Sequence, residues 1–451
     1  MFKSLAPGLV SALDTNTVSH WDRQKASLSG LPPEIRFIIV DKVDELDRES
    51  GAKGDKAMFA VALLDVEFST LAQKYIWRKL DLSNSLIEDI GFFLVDVLPR
   101  HACHVTEITI SQIFPGDDSA VSKDPEHLLH QRLASLVTYP VEAGAAIQGV
   151  NHQHVARLRR IMLAEILHLL PNLKSLNFDL VESDVHVLDG TKSPPHLQQR
   201  EVNDALIMTG SRLLSLRVGY TLERIGATWL GNFLSWFPNI SELDLAVFVS
   251  PGGTERLYHS LGELSNLRSL SIQYGNFVDE GFADLDWHAP ISHLQLAGCC
   301  NLSPSSLSTL LRKVSPSLEA LHLDDYYFHL TPDNKQAAFK DFQPLALPKL
   351  KTLTVDADHD VLEALLGLFS RSSVERLYIF TWAKDFHAFI SDHDTTLKIV
   401  TFIGNLAQMT RQTYEVEVKS LRDLCLSKGI ELEAEDPDDD VYEDGRSAST
   451  A

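Results

Sequence analysis

Apolar and polar positions alternate in the same way at regular intervals through most of this chain. From residue 173 onward a six-residue phrase recurs, with apolar residues at its first, fourth and sixth positions. The fourth and sixth positions are two residues apart and face one side of a strand, whereas the residue between them faces the other side. We therefore predict one short strand at each of these phrases: LKSLNF, LLSLRV, ISELDL, LRSLSI, ISHLQL, LEALHL, LKTLTV, VERLYI and LKIVTF.

The spacing of the phrases predicts a repeat protein. The fourth positions of the last eight, from Leu216 to Val400, are separated by 27, 27, 24, 27, 32, 24 and 23 residues, with amphipathic helical patterns between them. One such strand cannot bury its apolar face alone, but stacked copies share a continuous core. The phrase and its period resemble those of leucine-rich-repeat proteins. That resemblance implies an α/β solenoid with strands on the concave face and helices on the convex face. The alternative is an ordinary α/β domain with scattered amphipathic strands.

The pattern also predicts the limits of the repeat array. LDL at 80–82 and VTEITI at 105–110 resemble its first members, whereas the period fails over 111–156, which we interpret as an insertion. The last residues, 431–451, are rich in acids and lack an apolar pattern, so we expect a disordered tail. We thus predict a flexible arm at 1–27, a helical domain at 28–82, a solenoid at 83–430 and the acidic tail.

A well-marked helix start lies near the amino end, in LPPEIRFIIV at 31–40. Pro33 suits the first helical position, and Glu34 favours the positive end of the helix macrodipole. Apolar residues then follow at helical spacing: Ile35, Ile38, Ile39, Val43 and Leu46. A second apolar helical face follows after a polar loop: Val61, Leu64, Phe68, Leu71 and Tyr75.

These two helices resemble an F-box. The matching positions are Leu31, Pro32, Glu34, Ile35, Ile39 and Val43, then Ala62, Leu63, Leu64, Phe68, Leu71 and Ala72, with Trp77 and LDL behind them. In that family the motif binds the Skp adaptor of a cullin-RING ubiquitin ligase, and repeats behind it hold the substrate. The resemblance implies a non-catalytic substrate receptor of the SCF type. Its adaptor-binding residues would be Leu31, Pro32, Glu34, Ile35, Ile39, Val43, Leu64, Phe68 and Leu71. The alternatives are a helical cap for the solenoid and a repeat scaffold without a ligase.

Composition and charge narrow the partners. The 451 residues include 40 Lys and Arg against 62 Asp and Glu, a net charge of −22, which repels nucleic acid and anionic membrane surfaces. Four cysteines are too few and too irregular for a disulfide framework, and no apolar run is long enough for a membrane span. We expect an intracellular protein, cytoplasmic or nuclear, whose partners are other proteins.

Catalytic and metal motifs are weak. The chain holds no phosphate-binding Gly-rich loop, no serine-hydrolase elbow and no His-Glu-x-x-His. His152, His154, His359 and His393 have too few companions for a metal site, so we interpret them as surface residues. Cys299 and Cys300 suit small core positions in a repeat. We expect neither a cofactor nor an enzymatic activity.

A protein substrate would meet the polar side of the strands. The residues predicted to face it include Asn177, Asp179, Arg217, Asp244, Ser271, Gln273, Gln295 and Thr354. Aromatic residues crowd two strand exits in the carboxyl half and are either hot spots of an interface or packed under a loop. The predicted substrate-binding residues are His322, Asp324, Tyr326, Tyr327, Phe328, Asp356, Tyr378, Phe380 and Trp382.

Overall fold

The computed structural model divides the chain into two compact units, Met1–Lys79 and Leu80–Ala451. It describes residues 30–49, 56–82, 93–111, 164–180, 198–250, 252–299, 301–324, 344–357, 359–380, 386–393, 395–403 and 411–435. The predicted arm at 1–27 and nearly all of the predicted insertion at 111–156 lie outside these residues. Each unit is described by itself.

The described part of the first unit consists of three helices, α1 (Pro33–Glu49), α2 (Lys56–Ala62) and α3 (Val66–Ile76). The prediction that the first helix starts at Pro33 is confirmed, and the Pro32 carbonyl accepts hydrogen bonds from the Ile35 and Arg36 amides at 3.0 and 3.1 Å. The second predicted helix is divided between α2 and α3. Asp65 causes the division, because its carboxylate accepts a bond from the Phe68 amide at 2.8 Å and caps α3.

The second unit is built on an open sheet of twelve strands, counted over the described residues, in which spatial order follows sequence order. Each neighbouring pair from β2 to β12 is parallel. The strands are β1 (Lys79–Asp81), β2 (Glu107–Ser111), β3 (Ser175–Leu180), β4 (Ser215–Gly226), β5 (Glu242–Ser250), β6 (Ser269–Gln273), β7 (His293–Ala297), β8 (Ala320–Asp324), β9 (Thr352–Val355), β10 (Arg376–Ile379), β11 (Ile399–Ile403) and β12 (Glu431–Glu435).

Helices connect these parallel strands, as a repeat solenoid requires. They are α4 (Leu98–His101), which follows a π-helical turn at Phe93–Val97, α5 (Gln198–Gly210), α6 (Ala227–Leu234), α7 (Thr254–Gly262), α8 (Glu280–Ala283), α9 (Pro304–Val314), α10 (His359–Leu368), α11 (Phe386–Asp392) and α12 (Arg411–Lys428). The helical patterns predicted between the repeat phrases include ATWLGNFLSWFP and PSSLSTLLRKVSP, and these two form α6 and α9.

The nine predicted strands are all present, and the two upstream phrases form β1 and β2. Their apolar residues align in register, so that Leu216 pairs with Leu243, Leu243 with Leu270 and Leu270 with Leu294, and each is at most 2% exposed. One continuous core joins these leucines to apolar side chains of the helices, such as Phe233 of α6. The repeat interpretation of the leucines is therefore supported at the level of an open parallel α/β sheet.

The structure corrects the start of the predicted disordered tail. Glu431–Glu435 forms β12, which pairs with β11 over five residues, and the half-buried Leu432 and Ala434 pack against the core. The acidic residues of β12 alternate with apolar ones, and this alternation suits an edge strand. Residues 436–451 lie outside the described part of the chain.

Candidate interaction surfaces

The first helix of the first unit buries two charged residues and exposes several of its aliphatic ones. Arg36, Val40 and Asp44, four residues apart, are 6%, 0% and 5% exposed and face the other two helices. Arg36 forms an ion pair with Glu67 of α3, and Asp44 pairs with Arg78 at 3.1 Å. The charged side chains therefore attach α1 to the rest of the unit.

Three aliphatic residues of α1 are left at the surface. Ile35, Ile38 and Leu46 are 42%, 54% and 55% exposed. The turn between α2 and α3 adds Leu63 at 87% and Leu64 at 48% exposed. The described core of the unit has only four buried residues, Val40, Met58, Phe68 and Ala72, which is fewer than its exposed apolar residues. This unit thus exposes much of the apolar surface that its sequence provides.

The predicted adaptor-binding residues differ in how far they are exposed to solvent. Pro32, Glu34, Ile35 and Leu64 are exposed, and Leu31 is half-buried. Ile39, Val43 and Leu71 are half-buried and pack against the unit's own core.

The prediction that Phe68 contacts the adaptor is wrong, because this side chain is 0% exposed in the folded unit. Its ring fills the centre of the small core, and the Arg36 guanidinium lies over it at 5.9 Å from the ring centroid.

In the second unit, the polar residues between the buried leucines form a straight row across the sheet. Each pairs in register with the next, which places their side chains on the face opposite the core. We refer to this set as the polar row: Thr109, Asn177, Arg217, Asp244, Ser271, Gln295, His322, Thr354, Tyr378, Thr401 and Glu433. The sequence prediction of which residues share this face is confirmed for the described strands.

Charges on this face are partly paired. Within the polar row, Arg217 contacts Asp244 at 3.3 Å. His322 lies 3.9 Å from Asp324, but burial lowers the pKa of His322 below its ordinary value, and the nearby Asp324 carboxylate only partly opposes this shift. The imidazole is therefore mostly neutral at pH 7, so it does not form a charged pair with Asp324.

Several polar atoms of the same row are covered by neighbouring side chains and have no hydrogen-bond partner among the described residues. They are Thr109 Oγ1, Asn177 Oδ1, Asp244 Oδ1, Ser271 Oγ and His322 Nε2. Burying a polar atom without a partner destabilises a protein unless ordered water satisfies it. Because these atoms are buried, a bound chain could not reach them without a rearrangement of the neighbouring side chains.

The structure brings together only part of the predicted substrate site. His322, Asp324, Asp356, Tyr378 and Phe380 are half-buried at β8, β9 and β10 or directly after these strands. Tyr326, Tyr327, Phe328 and Trp382 lie outside the described residues, so the predicted aromatic site remains a prediction.

Sequence reasoning missed a different aromatic pair. Phe248 of β5 and Tyr274, which directly follows β6, are stacked with ring centroids 5.7 Å apart and an interplanar angle of 24°, yet they remain 38% and 53% exposed. Tyr274 has a positive φ of 57°, a left-handed conformation that favours glycine. Both aromatics directly follow or extend a repeat phrase, as do the predicted ones, and this position in the sequence was the signal that could have revealed them.

His393 and Cys299 are buried and have structural roles. His393 was predicted to lie at the surface but is 3% exposed, with ring nitrogens 2.9 Å from the Phe389 carbonyl and 3.2 Å from the Phe369 carbonyl. Cys299 is buried, as predicted for a small core residue. Among the described residues, no cluster of His, Cys, Asp or Glu could hold a metal ion, and no helix is both long and apolar enough to cross a membrane.

Comparison with solved structures gives a weak likeness. No family model and no curated protein sequence matches the chain. Among solved structures, the chain is similar to a crystal structure of the Rad7 and Elc1 complex in yeast, at 14% identity and a TM-score of 0.35, over 82% of this chain and 81% of that chain. A likeness at this TM-score does not establish a shared fold, so function is argued from the chain's own residues.

Proposed function

We propose that this protein is the substrate-recognition subunit of an SCF-type ubiquitin ligase. The first unit would bind a Skp adaptor, and the repeat unit would hold a protein substrate. The observation that carries this proposal is the orientation of α1, with Arg36 and Asp44 buried in ion pairs and Ile35 and Ile38 exposed. A helix that only capped the solenoid would be expected to turn these aliphatic residues inward.

Two further features support an adaptor interface. The exposed apolar residues include Ile35 and Leu64, two of the positions at which the sequence resembles an F-box. Adjacent exposed apolar residues commonly mark a protein interaction site. Leu63 and Leu64 add two exposed apolar residues at the turn between α2 and α3.

The proposed mechanism requires no chemistry from this chain. The repeat unit would hold a bound protein close to a ubiquitin-conjugating enzyme that the adaptor and cullin bring into the same complex. Holding two reactants together raises their effective concentration and accelerates transfer without a catalytic residue in the receptor.

Co-purification of the full-length chain with a Skp adaptor tests the proposal. Ile35→Asp with Ile38→Asp places two charges in the proposed interface, and burial of an unpaired charge there should lower adaptor recovery at least tenfold. Because both side chains are about half exposed in the free protein, the melting temperature should change little.

Ile207→Asp with Met208→Asp is the matched control, because these apolar residues of α5 in the repeat unit are exposed to a similar extent, 46% and 64%. This control should bind the adaptor normally. Equal adaptor recovery from both double variants would contradict the proposal. Absence of the adaptor from the unmodified protein would favour a repeat scaffold that works without a ligase.

A further inference from the structure

The stacked pair of Phe248 and Tyr274 forms an exposed aromatic surface, which we call the aromatic step. The two rings come from successive repeats, and Phe248 lies on the face of β5 that points away from the core. The ring of Tyr274 packs over Gly298, where an added Cβ would lie 3.1 Å from Tyr274 Cδ1. Gly298 thus leaves the space that the ring occupies.

Internal packing does not account for this arrangement. Phe248 and Tyr274 are 38% and 53% exposed, whereas the neighbouring aromatic side chain of Phe277 is 2% exposed and belongs to the core. Tyr274 keeps a large aromatic side chain at a left-handed position that glycine or asparagine would occupy at lower cost. Such positions of backbone strain are common at binding sites.

The charges on the surrounding face indicate what would bind the aromatic step. From β5 to β9, the strand positions that point away from the core hold Glu242, Asp244 and Asp324, with Asp356 directly after β9, and these positions include no lysine or arginine. Arg217 on β4 pairs with Asp244, whereas the mostly neutral His322 does not form a charged pair with Asp324. This part of the sheet is therefore acidic beside an exposed aromatic surface.

We infer that the aromatic step and these carboxylates bind a basic, extended segment of a partner protein, with an arginine or lysine side chain packed on the rings of Phe248 and Tyr274. A cation within about 6 Å of an aromatic ring is attracted to its face, and arginine is the more frequent partner. Asp244 lies four residues before Phe248 on β5, about 13 Å away along the strand, so one extended segment could reach both. This inference rests on the proposed function, since it assigns the place and chemistry of substrate binding.

Binding of defined peptides to the full-length protein tests the inference. The probes are three fluorescein-labelled twelve-residue peptides of glycine and serine that carry three arginines, three citrullines or three glutamates. Citrulline has the shape of arginine without its charge. In 0.3 M sodium chloride, which suppresses unspecific attraction to an acidic protein, the arginine peptide should bind at least tenfold more tightly than the other two.

The variant that removes the aromatic step is Phe248→Thr with Tyr274→Gly. Threonine suits an exposed strand position and glycine suits the positive φ, so the fold should be preserved. This variant should weaken binding of the arginine peptide at least tenfold. The control Ile207→Gln with Met208→Gln, which replaces exposed apolar residues of α5, should change it less than twofold.

Two outcomes would overturn the inference: equal binding of the arginine and citrulline peptides, or a larger loss in the α5 control than in the Phe248 and Tyr274 variant. Adaptor co-purification with the same variants separates this result from the proposed function. If the arginine peptide binds as expected but no form of the protein recovers the adaptor, the ligase proposal fails and the aromatic step remains a binding surface.

Discussion

At the scale of single residues, burial and exposure divide the side chains that the sequence groups together. Ile35 and Phe68 both belong to apolar helical faces, yet one is 42% exposed and the other is 0% exposed. The difference arises because α3 packs across the small core, and the ring of Phe68 is large enough to fill it. An apolar pattern identifies a helical face, but the neighbouring helices decide whether that face is covered.

His322 should make the stability of the repeat unit depend on pH. Burial lowers its pKa in the folded state, so the unfolded chain binds a proton more readily. The free energy of unfolding is therefore highest above the ordinary histidine pKa of about 6.5 and decreases as the pH falls below it. We expect the melting temperature to decrease between pH 7.5 and pH 5.

His322→Gln removes this titration and retains hydrogen-bonding atoms, so its melting temperature should decrease less over the same pH range. Calorimetry at a series of pH values measures both proteins. His101, whose pKa is also lowered by burial, will contribute to the remaining dependence in the variant. Identical slopes for the two proteins would contradict the role of His322.

At the scale of elements, ion pairs as well as the apolar core connect neighbouring repeats. Glu319 binds Lys351 at 2.7 Å, and Glu375 binds Lys398 at 2.6 Å, at positions directly before β8, β9, β10 and β11. Each lysine thus pairs with a glutamate of the preceding repeat. These pairs are exposed, so each contributes little to stability, but they favour the correct alignment of neighbouring strands.

The last strand is a separate element with a testable contribution. Truncation after Ile430 removes β12, which exposes the edge of β11 and the apolar surface that Leu432 and Ala434 cover. We expect a lower melting temperature for this protein, because edge repeats protect the core of a solenoid. Truncation after Glu435 is the matched control. It should leave the melting temperature within about 2 °C of the full-length value, because we expect the free energy of unfolding to change by less than ~0.5 kcal/mol. A tail without structure from residue 431 would make the two truncations equivalent.

At the scale of the whole molecule, the two compact units have separate cores. Phe68→Ala should destabilise the first unit by about 3–5 kcal/mol, which is large for a core of this size. Leu270→Ala should destabilise the repeat unit by about 2–5 kcal/mol.

Calorimetry or hydrogen exchange should assign each loss to its own unit. We expect Phe68→Ala to lower protection only in α1 to α3, and Leu270→Ala to lower it only in the sheet and its helices. A uniform loss of protection over both units in either variant would show that they unfold as one.

The sequence by itself predicted the repeat architecture, because each six-residue phrase carries the strand period and recurs at the length of one strand and one helix. It predicted the start of α1, because Pro33 and Glu34 favour the first turn of a helix whatever the distant residues are. The sequence also placed Leu216, Leu243 and Leu270 in the core, because the strand period assigns each leucine to one face and the stacked repeats cover that face.

Only the tertiary structure decided which apolar helical residues remain exposed and which strand exits form surfaces. Arg36 and Asp44 turn towards the core because Glu67 and Arg78, distant in sequence, supply opposite charges. Phe248 and Tyr274 meet because adjacent parallel strands bring residues 26 positions apart side by side. β12 is ordered despite its acids because β11 provides a partner edge. These contacts join residues far apart along the chain, and a local pattern of apolar and polar positions does not contain them.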